Sequence, residues 1–169
     1  MSRGFVKEGD QEEPPMIPPR AALPAGVTNY VTPKGLEQLR AELSQLESER
    51  MKIQAENDSE KRRAQALIDG KINLLTERLN TARLLKPGDQ PEDEVRFGAK
   101  VQLEYIDSGQ IQEFQIVGVD EADIKKKKIA FVAPLARAIT GKKLDEIAEF
   151  TMGSETRRLK ILDISYEII

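Results

Sequence analysis

The first strong hydrophobic pattern begins near Pro33 and has the period of a helix. Its apolar residues recur at spacings of three, four, three and seven, at Leu36, Leu39, Leu43, Leu46 and Ile53. Arg50 occupies the seam position that is skipped before Ile53, and charged residues fill the other faces. Thr32 suits an N-cap and Pro33 suits the first helical position. The pattern predicts an amphipathic helix with one apolar stripe of the coiled-coil type.

A second stripe follows an acidic interruption. Its members lie at spacings of four, three, four and three, at Ile68, Ile72, Leu75, Leu79 and Ala82. Pro87 and Gly88 then stop the helix. Because each helix has a single apolar stripe, we expect the two stripes to face each other in an antiparallel α-helical coiled-coil hairpin over residues 32–87. The midpoint of this hairpin falls at Ser59, and an intramolecular hairpin of this kind predicts a monomer.

From about Val95 the pattern changes to alternation with β-branched residues. Five stretches are strand candidates: AKVQLEYI, IQEFQIVGV, KKIAFVA, IAEFT and TRRLKILDISYEI. The pairs Ser108–Gly109 and Gly153–Ser154 suit hairpin turns. PLARAITG predicts one short helix, started by Pro134 and closed by Gly141. The fold class predicted is therefore α+β, a helical hairpin followed by a small antiparallel sheet domain with one short helix at residues 95–169.

The segments before and between these domains are rich in turn and loop residues. Residues 1–31 carry five closely spaced prolines and few core residues, so they predict a disordered tail. A docking peptide with Met16 and Ile17 as apolar anchors is the alternative. Residues 88–94 form the predicted linker. The run Lys125–Lys128 is interpreted as a solvated hairpin tip, with a contact to phosphate or to an acidic protein as the alternative.

Composition narrows the chemistry open to this chain. It has no cysteine and no histidine, so thiolate and imidazole metal sites are excluded. The formal net charge of −3 does not favour a purely electrostatic grip on DNA or RNA. No apolar stretch is long enough for a membrane span, and no signal peptide is recognisable. We expect a cytoplasmic protein that makes no membrane contact and has no metal site or cofactor of its own.

The stretch AENDSEKRR, residues 55–63, places three acids near the hairpin midpoint, at Glu56, Asp58 and Glu60. Asp58 or Ser59 could cap the second helix, and an acid in its first turn favours the helix dipole. The same acids could instead contact a partner, or could recruit a hard cation such as Mg²⁺. All three interpretations are compatible with the sequence.

Several stretches resemble the Gre family of bacterial transcript-cleavage factors. In the C-terminal part these are FGAKVQLEY, FQIVGVDEAD, APLARAITGKK and ISYEI, and at the start of the helical part YVTPKGLEQLRAEL. The resemblance covers roughly residues 30–54 and 72–169, and the proline-rich segment has no counterpart in it. It implies an FKBP-like C-terminal domain that docks at the rim of the secondary channel of RNA polymerase while the coiled coil inserts. It also associates the chain with DNA binding and with indirect contact to nascent RNA.

The resemblance further implies a role for the tip and for the short helix. In cleaving members, an Asp and a Glu three residues apart help to hold a second Mg²⁺ shared with the polymerase, whose own active site cleaves the RNA. The factor itself is then not an enzyme. For docking, the resemblance singles out Pro134, Leu135, Ala136 and Arg137.

Two departures from the family pattern argue against cleavage. Aligning Glu60 with the family's glutamate puts Asn57, which is not an acid, three residues earlier. Each arm also has about 25 residues, or roughly 37 Å, which is about two turns shorter than the family's coil. We therefore expect a regulator that occupies the channel. The alternatives are a non-catalytic coiled-coil adaptor and an FKBP-type prolyl isomerase.

Overall fold

The computed structural model describes residues 13–167, so the predictions made for residues 1–12 and 168–169 lie outside the described residues. The chain divides into two compact units. The helical unit contains residues 40–80 and the described residues up to Arg20. The sheet unit contains residues 21–39 and the described residues from Thr81 onward. Within the described range the fold is α+β, with three α-helices and a mixed sheet.

Helix α1 spans Pro33–Met51 and helix α2 spans Asp58–Thr81. The predicted cap of α1 is confirmed, because the hydroxyl oxygen of Thr32 accepts a hydrogen bond from the backbone N–H of Gly35 at 2.9 Å. Both helices end earlier than the stripes suggested. Ile53 lies beyond α1, and Ala82 belongs to a strand instead of to α2. Among residues 13–167, no helix is long and apolar enough to cross a membrane.

In the helical unit, an ion pair joins α1 to α2, and each helix has a buried leucine. Leu46 and Leu75, one from each predicted stripe, are buried. Arg50 donates to both carboxylate oxygens of Asp69, at 2.6 Å and 3.3 Å. This hydrogen bond lowers the pKa of Asp69 and raises the pKa of Arg50. The polar residue in the first stripe therefore pairs with a residue of the second helix.

The sheet unit contains seven strands in two sheets. They are β1 (Asn29–Val31), β2 (Ala82–Leu84), β3 (Lys100–Tyr105), β4 (Ile111–Val117), β5 (Lys128–Ala130), β6 (Ile147–Met152) and β7 (Glu155–Ser165). β1 and β2 pair in parallel, and the other five have the order β5-β4-β3-β7-β6. β4 and β5 are parallel, whereas the remaining neighbours are antiparallel. The sheet is therefore mixed, and the prediction of a purely antiparallel sheet was wrong at β5.

The lysine run lies in a tight turn between β4 and β5. Asp123 and Lys128 form an antiparallel bridge around a 3-10 turn at Ile124–Lys126, so Lys125–Lys127 lie at an exposed turn tip as predicted, whereas Lys128 does not. Lys128 is the first residue of β5, and its side chain is largely buried. The other three lysines are exposed.

The core of the sheet unit follows the alternation seen in the sequence. In β3, Val101 and Leu103 are fully buried, while their neighbours Lys100, Gln102 and Glu104 are not. Helix α3 (Pro134–Ile139) packs its buried Ala136 and Ile139 into the same core. Strand β1 was not predicted, because Asn29–Val31 had been assigned to the tail. Its Tyr30 ring packs near the core aromatics, which explains why this short segment is ordered.

Candidate functional site

The tip comprises residues 52–60, which are the linker between α1 and α2 and the first turn of α2. All three acids predicted to act here, Glu56, Asp58 and Glu60, are exposed. Asp58 and Glu60 lie in the first turn of α2, where a negative charge is favourable to the helix dipole. The structure therefore places the acids together on an accessible surface.

Asn57 caps helix α2. Its side-chain oxygen accepts a hydrogen bond from the backbone N–H of Glu60 at 2.8 Å, and its carbonyl oxygen accepts from the N–H of Lys61 at 3.1 Å. The cap predicted from the sequence was Asp58 or Ser59, and both positions were wrong, by one and by two residues. The residue that departs from the family's acidic pattern thus has a structural use of its own.

Replacing Asn57 by alanine is expected to lower the free energy of unfolding by about 1 kcal/mol, because the N–H of Glu60 loses its acceptor. Amide exchange should rise in the first turn of α2. Asn57→Asp is the matched control, since aspartate caps about as well, and it should leave both quantities nearly unchanged. Chemical denaturation and hydrogen exchange measure the two effects. Equal stability of the alanine and aspartate variants would contradict this cap.

The tip acids do not form a metal centre by themselves. Across residues 13–167, no group of three or more acidic side chains is arranged so that it could hold a metal ion. Mg²⁺ prefers six oxygen ligands in near-octahedral geometry. An ion at the tip would therefore need most of its ligands from a partner or from water.

The residues singled out for docking on α3 differ in their accessibility. Pro134 and Arg137 are exposed, and Leu135 is half-buried against the core. Ala136 is fully buried, so its side chain is not available to a partner. The prediction is therefore corrected at Ala136, which packs the helix onto the sheet, and it stays a prediction for the other three residues.

A buried polar cluster at the start of α1 was missed by the sequence analysis. The side chain of Glu121 is buried, and its carboxylate accepts a hydrogen bond from the hydroxyl of Thr32 and lies 3.2 Å from Nζ of Lys128. A Cβ atom on residue 35 would lie 2.5 Å from Oε1 of Glu121, so Gly35 gives the carboxylate room to approach. Glu121 thus holds the first turn of α1 and supplies negative charge at its N-terminus.

The aromatic residues of the sheet unit pack against one another. Tyr30, Phe97 and Phe131 form a cluster with ring-centroid separations of 5.6 to 6.0 Å. Tyr166 anchors the end of β7, since its hydroxyl donates to the carbonyl oxygen of Glu94 at 2.7 Å. Burial raises the pKa of Tyr166. Phe97 lies in the core and the other three rings pack against it, an arrangement that does not favour the aromatic-lined pocket of a prolyl isomerase.

The sequence of the C-terminal part matches a known family model. The model is described as the C-terminal domain of the transcription elongation factors GreA and GreB, and it matches residues 90–166. GreA of Thermodesulfovibrio yellowstonii is 34% identical over 152 residues, which cover 81% of this chain and 96% of the relative. GreA of Syntrophotalea carbinolica is 37% identical over 112 residues, which cover 66% of this chain and 70% of the relative.

Two solved structures are also similar. GreA factor homolog 1 of Thermus thermophilus is 23% identical with a TM-score of 0.39, and the match covers 82% of this chain and 99% of that one. The GreA/GreB factor of Nitrosomonas europaea is 16% identical with a TM-score of 0.41, and the match covers 83% of this chain and 99% of that one. The family of this chain is therefore shown by the sequence relatives.

Proposed function

This chain belongs to the GreA/GreB family of transcription elongation factors, and from that premise we propose that it binds bacterial RNA polymerase and regulates elongation from the secondary channel. As a transcription factor of this family it is not an enzyme in its own right. The sheet unit would act as the FKBP-like domain that docks at the channel rim. The two long helices would act as the coiled-coil hairpin that enters the channel.

The observation that carries this proposal is the exposed tip of the helical unit. Two helices of 19 and 24 residues are joined by a short linker, and the residues from Glu56 at the end of the linker to Arg63 in α2 are all exposed and polar. The buried leucines and the Arg50–Asp69 pair support a direct association of these helices. A stem of this kind, with a polar end, suits insertion into a solvated channel better than packing into another protein's core.

Two features of the tip favour occupancy of the channel without stimulation of cleavage. The first is Asn57, whose side-chain oxygen is engaged by the N–H of Glu60 and whose amide is a neutral ligand. The second is the length of the arms. Helices of 19 and 24 residues are about 28 Å and 36 Å long at 1.5 Å per residue, which is short compared with the coil of the family. A carboxylate must come within about 2–2.6 Å of the ion to coordinate it.

Binding is tested with purified bacterial core polymerase. We expect the chain to co-purify with the polymerase at micromolar concentration and to compete with a cleaving family member for it. Pro134→Ala and Arg137→Ala change exposed positions of α3 and should weaken binding if this helix lies at the interface. Glu113→Ala, an exposed position on β4, is the control. Absence of co-purification would leave the adaptor alternative standing.

Cleavage is tested on a stalled elongation complex. We expect no increase in RNA shortening over polymerase alone, and the double variant Asp58→Ala, Glu60→Ala should bind as the parent does. Asn57→Asp separates the effect of the missing carboxylate from the effect of the short arms, because it adds a carboxylate while keeping the cap. If shortening stays absent, the limited reach of the arms is sufficient to explain it. Cleavage that the parent stimulates and the double variant loses would contradict the proposal.

Within this proposal, an ion at the tip would be a Mg²⁺ shared with the polymerase. The contact with nascent RNA would be indirect, and direct DNA binding is not needed. The monomeric state, the cytoplasmic location and the domain boundaries at residues 32, 88 and 95 stay predictions. Sedimentation of the free chain tests the first of these.

A further inference from the structure

The proline-rich segment at residues 13–20 lies against the helical unit. The sequence predicts that this segment belongs to a disordered tail, with Met16 and Ile17 as candidate anchors. In the structure the two anchors differ, because Met16 is 90% exposed while Ile17 is half-buried. The segment has a contact with each of the two long helices.

The first contact places Ile17 in a socket on α2. A Cβ atom on residue 70 would overlap Cδ1 of Ile17 and would lie 2.7 Å from its Cγ1. Glycine is unfavourable in the interior of a helix compared with alanine. Gly70 lies in the middle of α2, and the missing Cβ is the space that the Ile17 side chain fills.

The second contact joins the segment to α1. The guanidinium of Arg20 donates two hydrogen bonds to the two carboxylate oxygens of Glu42, at 3.1 Å and 2.9 Å. A bidentate pair of this geometry is directional as well as attractive. The Arg20 side chain is only 18% exposed, whereas that of Glu42 is 44% exposed. Water and salt therefore reach this contact from the side of Glu42.

We propose that residues 13–20 form a releasable clasp that ties α1 to α2. Ile17 fills the space beside Gly70 of α2, and Arg20 pairs with Glu42 of α1. The clasp bridges the two helices, since Ile17 is held by one and Arg20 by the other. Prolines at positions 14, 15, 18 and 19 reduce the conformational freedom that is lost on docking. The ion pair between Arg20 and Glu42 is partly solvated, and pairs of this kind contribute little to stability, which favours release.

Trypsin gives a direct readout of the clasp in the full chain. The bond after Arg20 is cleaved only when the arginine side chain can enter the protease's specificity pocket, so the Glu42 pair protects it. Under fast opening and closing, the cleavage rate reports the open population. We expect slow cleavage at Arg20–Ala21 in the parent, and mass spectrometry follows it through the fragments that end at Arg20 and the fragment that begins at Ala21.

Two variants release the clasp from opposite helices. Gly70→Ala fills the socket, and the overlap is relieved by displacing the segment without distorting α2. Glu42→Gln removes the negative charge that pairs with Arg20 while keeping the side chain at nearly the same size. Each should raise cleavage at Arg20 by about tenfold or more. Glu47→Gln is the matched control for charge, because Glu47 is exposed on the same helix. Circular dichroism should show unchanged or higher helicity for Gly70→Ala.

Salt and hydrogen exchange complete the test. Raising the ionic strength should accelerate cleavage of the parent and should have little effect on Glu42→Gln. Amide exchange in residues 40–51 should rise in both variants if the clasp ties the helices, and exchange in residues 58–80 should rise in Glu42→Gln, because in Gly70→Ala the alanine itself strengthens α2. Unchanged cleavage in either variant, or faster cleavage without faster helix exchange, overturns the proposal. All readouts use the free chain, so they do not depend on polymerase binding.

Discussion

Replacing Glu121 by alanine is expected to lower the free energy of unfolding by about 3 kcal/mol. The side chain of Glu121 is 4% exposed and that of Lys128 is 12% exposed, so the ammonium would lose its counter-charge in a place that water hardly reaches. The hydroxyl of Thr32 would also lose the acceptor that it has beside the start of α1. Urea denaturation measures the loss, and amide exchange in the first turn of α1 locates it.

Two variants separate the contributions to this effect. Glu121→Gln removes the charge but keeps an acceptor for the hydroxyl of Thr32. It should therefore lower the free energy of unfolding by less than Glu121→Ala does, because only Lys128 loses its partner. Glu113→Ala removes an exposed carboxylate from β4 and should change stability by less than about 0.5 kcal/mol. A Glu121→Ala variant as stable as Glu113→Ala would contradict the structural role assigned to the cluster.

The variant Gly118→Ala should be destabilised by about 2–3 kcal/mol, through a different mechanism. A Cβ atom at this position would lie 2.6 Å from the backbone carbonyl oxygen of Tyr30. A backbone atom cannot rotate away as a side chain does, so β1 would have to shift. That shift would disturb the pairing of β1 with β2 and the packing of the Tyr30 ring on Phe97 and Phe131.

Thermal and urea denaturation test this prediction, with amide exchange at Asn29–Val31 as a local probe of β1. Ala122→Ser is the matched control, because it adds one atom at an exposed position four residues away. It should leave the midpoint of unfolding nearly unchanged. A Gly118→Ala variant that unfolds at the same urea concentration as this control would show that β1 tolerates the displacement.

The Glu121 cluster and the contact of Gly118 with β1 both bear on the proposed function, since β1 leads into α1 and Glu121 holds the first turn of that helix. A variant that loosens this start should bind polymerase less well even though it leaves the tip unaltered. The tip variants should behave in the opposite way, with unchanged binding. The two groups of variants therefore distinguish a positioning role from a contact role.

Local patterns were sufficient for most of the elements. The Thr32–Pro33 pair located the start of α1, and the alternation around Val101 and Leu103 located a strand of the core. The family followed from stretches such as the one at residues 114–123, and it is shown by the relatives. Each of these inferences depends on neighbours within a few residues, where backbone periodicity and capping chemistry act.

Helix ends and caps were less predictable. The apolar stripes continue to Ile53 and Ala82, although the helices stop at Met51 and Thr81. Ala82 has a competing partner, because it pairs with Asn29 across the β1–β2 sheet. At the other end of α2, the adjacent residues Asn57, Asp58 and Ser59 are all suitable caps. Asn57 is the one whose side-chain oxygen accepts a hydrogen bond from the N–H of Glu60. Propensity does not distinguish among such neighbours.

The sequence by itself therefore determined the types of element, the place of the tip and the family of this protein. Only the tertiary structure decided which distant groups meet. Thr32 and Glu121 are separated by 89 residues, and Arg20 and Glu42 by 22. The isoleucine in the Gly70 socket and the carbonyl beside Gly118 belong to the same class. Such contacts depend on shape and burial that arise only when separate elements pack, and no local pattern along the chain records them.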